Sequence, residues 1–97
     1  MKIRHGDLIV QTIDQLPEGL KKRKGNVILY GEVTTHAHRL LGGDIFEKGT
    51  ELYLIAKRGA KLVHEEHAEI GLKKGIYVVL RTREYDYSSK KVRAVID

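Results

Sequence analysis

The sequence predicts a mainly β protein: a small, single-domain antiparallel β-barrel or sandwich spanning residues 1–97, closed by a short C-terminal helix. Three observations carry this. A chain of 11.0 kDa has room for one modest core. Apolar residues come in short runs rich in Ile, Val, Leu and Tyr, and glycines and one proline punctuate them at strand-length intervals. The hydrophobic content of 41% is enough to fold, and the charged content of 32% covers a surface.

Residues 2–13, KIRHGDLIVQTI, hold the first strand around the apolar run Leu8 to Val10. Residues 14–25, DQLPEGLKKRKG, form a basic connection, and NVILYGEV at 26–33 is the next strand. TTHAHRLLGGDIF divides into two strands across Gly42 and Gly43, a dipeptide suited to the positive φ angles of a tight hairpin. ELYLIAK and AKLVHEE form a second hairpin around Arg58 and Gly59, and GIYVVLRTREY at 75–85 is the last strand. In SSKKVRAVID a serine can cap a helix in which Val92, Val95 and Ile96 share one side.

Composition narrows the chemistry. With no cysteine, disulfides and thiolate metal sites are excluded, and a transition-metal site must use His, Asp and Glu. No apolar run reaches the ~20 residues of a membrane span, so the expectation is a cytoplasmic protein without membrane contact. The net charge of +5 favours polyanions, and nucleic acid or a nucleotide is the expected partner class. One Asn and two Gln among many Lys and Glu follow the bias of thermophilic proteins. Small barrels pair through edge strands, which makes a homodimer the expected assembly.

Four of the five histidines fall in two tight pairs, His36 with His38 and His64 with His67. Residues two apart on a strand share a face, so His36 and His38 project side by side. His64 and His67 are three apart and share a face only if a bulge or turn intervenes at Glu65-Glu66, or if HEEHAEIGL is helical. The spacing is not that of H-E-x-x-H metalloproteases. His5 stands alone in sequence and is assigned to the surface. His36, His38, His64 and His67 are therefore the candidate ligands of one divalent ion, zinc, manganese or iron, with no organic cofactor. With Glu65 they are also the candidate catalytic residues.

In the third block, Tyr77, Val79, Arg81, Arg83 and Tyr85 alternate onto one face, leaving Ile76, Val78 and Leu80 for the core. Arg81, Arg83 and Tyr85 are the candidate substrate-binding residues, two guanidinium forks for phosphate and an aromatic for stacking. The run KKRK at 21–24 is the densest positive charge and could grip phosphate or lie as a solvated connection.

GEVTTHAH, LVHEEHAEI and YVVLRTREY, in this order over residues 31–85, resemble a small uncharacterised family of phages and bacteria. That likeness brings no activity with it. Gly31, His36, His38 and then His64 or His67 also resemble, in outline, the cupin pattern, which implies one metal inside a small β-barrel. The glutamate that follows the cupin H-x-H could here only be Glu47, and the proline-glycine approach to the second cupin motif is absent.

Three functions remain open on these residues. The first is a metal-assisted hydrolase or nuclease on a phosphate-containing substrate. The second is a metal-independent ribonuclease using two histidines as general acid and base. The third is a non-enzymatic β-barrel that holds nucleic acid or a protein.

Overall fold

The computed structural model describes residues 1–31 and 36–81. They form eight strands and, among the described residues, no helix: β1 (Lys2–His5), β2 (Leu8–Ile13), β3 (Lys21–Lys22), β4 (Val27–Tyr30), β5 (Ala37–Lys48), β6 (Glu51–His64), β7 (His67–Gly71) and β8 (Gly75–Arg81). Every strand pairing is antiparallel, and the sheet runs β1-β2-β8-β6-β5-β3, with β4 also on β5 and β7 also on β6. The mainly β expectation holds, and the backbone pairing leaves the sheet open rather than closed into a barrel. Among the described residues no helix is long and apolar enough to cross a membrane.

Two expected hairpins are instead corners within long strands. β5 runs through Gly42 and Gly43, and β6 runs through Arg58 and Gly59. The register steps from Leu41 opposite Lys61 to Gly43 opposite Ala56, so one residue of β5 faces four of β6. The glycines serve this bulge. Gly42 has φ +83 and lies against the Ala60 backbone, while a Cβ at Gly43 would run into the Ile55 carbonyl oxygen. Lys57, Arg58 and Gly59 are exposed in succession, breaking the alternation of a flat strand. Composition alone does not separate a glycine that reverses the chain from one that lets two backbones approach closely.

The first segment holds a hairpin where one strand was expected. Gly6, at φ +65, and Asp7 turn β1 back onto β2, pairing His5 with Leu8. The core gathers Leu8, Val10, Ile28, Leu40, Ile45, Leu54, Leu62 and Tyr77, each nearly inaccessible to water. At ~1.5–3 kcal/mol for each fully buried large aliphatic side chain, this cluster is the main favourable contribution to folding.

On β8 the expected faces are exchanged. Tyr77 is buried and Val79 packs on the core, while Ile76 and Val78 are half-buried. The Tyr77 hydroxyl donates to the Lys73 carbonyl at 2.7 Å, so the ring enters the core without stranding its polar end. The expected terminal helix at 88–97 lies outside the described residues.

Candidate metal centre

The topology brings four strand termini to one corner of the molecule. β1 ends at His5, β5 begins just after His36 and carries His38 as its second residue, β6 ends at His64, and β7 begins at His67. Of the two geometries open for HEEH, the turn is the one formed: Glu65 and Glu66 reverse the chain, and His64 lies directly opposite His67. An odd sequence offset thereby becomes a shared face, because opposed residues of an antiparallel pair project to the same side.

All four predicted histidines meet there. The His64 ring centroid lies 4.4 Å from that of His38, 4.7 Å from His67 and 5.7 Å from His36. The fifth histidine joins them, which overturns the surface assignment of His5. It is 2% exposed, with its centroid 5.2 Å from His38 and 5.6 Å from His67. The only hint in sequence is the Gly-Asp dipeptide after it, which can end a strand and start a turn. His5 and His38 are not on paired strands. Contacts between them, and a hydrogen bond of 2.8 Å between His5 Nε2 and the Ala68 carbonyl, draw β1 toward β5 and β7.

Burial is graded across the cluster. His5 and His38 are buried, His36 and His64 are half-buried, and Glu65, Glu66 and His67 are exposed. Burial pushes the His38 imidazole from its ordinary 6.5 down to about 4, and the hydrogen bond to Asp7 opposes that shift only in part. His64 is lowered as well, first by burial and then by the neighbouring His67. Both are therefore neutral near pH 7, the form in which imidazole ligates metal.

Glu65 ties the corner together. One carboxylate oxygen accepts the Ala37 N–H at 2.9 Å and the other accepts from Arg39 at 2.9 Å. Those two bonds, the backbone N–H foremost, hold its carboxyl down to about 2. His36 Nδ1 lies 3.2 Å from Glu66 Oε2, and the Glu66 N–H donates to His64 Nδ1 at 3.0 Å. One ligand atom from each of His36, His64 and Glu65 falls within 4.8 Å of the others, a set of two imidazoles and a carboxylate of the kind that holds a divalent ion.

The substrate-binding candidates stand differently. Arg81 closes β8 with its backbone opposite Leu8, while Arg83 and Tyr85 lie outside the described residues. Part of the KKRK run is internally committed: Arg23 donates to Glu47 and to the Val27 and Ile28 carbonyls, and Lys22 pairs with Asp44 at 3.4 Å. A solvated, ion-paired connection describes Lys22 and Arg23 better than a phosphate grip.

An open antiparallel β-sheet with a histidine-centred, carboxylate-flanked corner defines a small β protein with a potential metal centre. The chain belongs to the family described as a domain of unknown function, DUF8820, whose match covers residues 4–82. The match takes in every histidine of the cluster. No curated protein and no solved structure matches the chain significantly.

Proposed function

We propose that this protein binds a divalent transition-metal ion at His36, His64 and Glu65 and uses it to hydrolyse a phosphate-containing substrate, nucleic acid or a nucleotide. The observation that carries the reading is the convergence of those three ligand atoms within 4.8 Å on the accessible side of a five-histidine corner. An ion there supplies two things: a bound water acidified toward neutrality, and a Lewis acid for a phosphoryl oxygen. Glu66, which faces His36, is placed to take a proton from such a water. Arg81, Arg83 and Tyr85 are the residues we assign to the substrate, and the +5 charge supports an anionic one.

Metal-independent acid–base cleavage would have to use His36, His64 or His67, because His38 is buried. The test uses untagged protein purified without chelator. Metal analysis should find zinc, manganese or iron, and His36→Ala should remove the ion held at this position. Cleavage of an RNA oligomer or a phosphodiester chromophore should disappear with chelator and return with metal. Chelator-resistant cleavage would instead establish the metal-independent ribonuclease. Salt-sensitive RNA binding with neither metal nor cleavage would establish the binding module.

A further inference from the structure

His5 and His38 pose a question of proton counting that the outer site does not answer. His5 Nε2 lies 2.8 Å from the Ala68 carbonyl oxygen, and His38 Nε2 lies 3.1 Å from Asp7 Oδ1. A carbonyl and a carboxylate only accept, so each Nε2 carries the hydrogen. In the neutral rings both Nδ1 atoms are then bare, and they face one another at 3.2 Å inside the protein. Two lone pairs at that distance repel unless a cation lies between them.

A shared proton and a metal ion both answer that need, and the surroundings favour the metal. Two nitrogens at ~2.0–2.1 Å from one tetrahedral zinc ion stand ~3.3–3.4 Å apart, close to the observed separation. Metal-bound histidines generally anchor the outer N–H on a carbonyl or a carboxylate, and here one ring uses each. A third ring lies within reach and, being exposed, has room to turn a nitrogen toward the pair. His67 lies 5.6 Å from His5 and 6.0 Å from His38 between centroids, and its Nε2 occupies the space beside Gly6 where a Cβ would stand 2.5 Å away. A proton has use for two nitrogens only, whereas a metal ion has use for the third.

We infer that His5 Nδ1 and His38 Nδ1 form the fixed part of a second and deeper divalent-metal position, completed when the exposed His67 side chain turns a nitrogen toward them, making the corner a two-metal centre. Asp7 and the Ala68 carbonyl are positioning groups that fix the two rings. The inner position stands on its own geometry and does not require the outer site to be filled. Paired metal ions are the arrangement that clamps both oxygens of a phosphoryl displacement, which ties the inner ion to the hydrolysis proposed above.

The experiment titrates zinc into chelator-stripped, untagged protein at pH 7.5, reading stoichiometry by calorimetry and the imidazole nitrogens by long-range proton–nitrogen NMR. The expected result is two equivalents in the wild type and one in His5→Gln, whose amide keeps a donor for Ala68 but offers no Nδ1. His36→Ala should also take one equivalent. In the wild type the Nδ1 resonances of His5 and His38 should move to metal-bound positions while both Nε2 remain protonated, a readout that needs no variant to fold. Asp7→Leu should weaken the inner step by about 10- to 100-fold. Nδ1 resonances unmoved by saturating zinc, or a folded His5→Gln that still takes two equivalents, would overturn the inner site. One equivalent lost in His36→Ala but kept in His5→Gln leaves only the outer site; the reverse leaves only the inner one.

Discussion

Acid should destabilise the metal-free protein well above the range in which carboxylates titrate. The group responsible is His38, which is 2% exposed and faced by the rings of His5, His64 and His67 and by Asp7. Its folded value of about 4 lies below the ordinary 6.5, so between those limits the unfolded chain binds more protons than the native one. Stability therefore rises with pH through this window, is complete above 6.5 and is lost as pH falls toward 4. At ~1.4 kcal/mol per unit of pKa, the loss between pH 7.5 and 4.5 is about 2–3 kcal/mol, a large share of a small domain's ~5–15 kcal/mol. His64, lowered in the same direction, adds to it. Glu65 acts separately, because its effect begins only below 4.5.

The assay is urea unfolding at half-unit pH steps in the presence of chelator, with circular dichroism as the probe. With ~1–3 kcal/mol per M as the slope, the midpoint should fall by about 1–3 M between pH 7.5 and 4.5. His38→Gln removes the titrating ring and should flatten most of that fall. A wild-type midpoint constant over this range, or a fall of equal size in His38→Gln, would refute the reasoning.

Three further predictions come from glycines. Gly43→Ala should cost about 1–3 kcal/mol or more in urea unfolding, because its Cβ meets the Ile55 carbonyl oxygen in the backbone of the neighbouring strand. Gly59→Ala, with open space around it, should cost only the ~1 kcal/mol of holding alanine at φ +80. Gly6→Ala should leave the fold intact while displacing the His67 ring, whose Nε2 would stand 2.5 Å from the new methyl. Zinc affinity of Gly6→Ala at the inner position should fall, and an unchanged affinity would remove His67 from the ligand set.

Much of the strand content was legible because apolar runs and turn residues carry local information, as at VILY and GIYVVLR. The corners were not. Gly42 and Gly43 have the chemistry of a hairpin, and only the register between β5 and β6 shows them inside one strand. On β8 alternation alone does not say which face is core: Tyr77 is polar by type, yet its hydroxyl finds the Lys73 carbonyl and the ring becomes core. The cluster itself was partly legible. His36, His38, His64 and His67 declare themselves as pairs, but His5 is separated by 33 residues from His38 and joins it only through the third dimension. Long-range convergence of that kind leaves no periodicity to find.

A corner of five imidazoles is a poor way to stabilise so small a protein, and this points to what it is for. Among the described residues no buried side-chain N or O lacks a hydrogen-bond partner, so His5 and His38 escape the ~1–3 kcal/mol cost of an unsatisfied group, but leucines in their place would bury more apolar surface. The gradient from buried His5 and His38 to exposed Glu65 and His67 gives the corner a closed floor and an open mouth. That shape suits an ion held from beneath and approached from solvent. Metal binding should then recover the stability that the polar corner forgoes. At free metal 100-fold above the dissociation constant, one site adds about 2.7 kcal/mol. For a domain of this size that raises Tm by roughly 10–20 °C. Calorimetric scans with zinc and with chelator should differ by that amount in the wild type, and by less in His5→Gln and in His36→Ala. If zinc leaves Tm unchanged, the corner does not bind the metal, and the histidines must be explained by their hydrogen bonds alone.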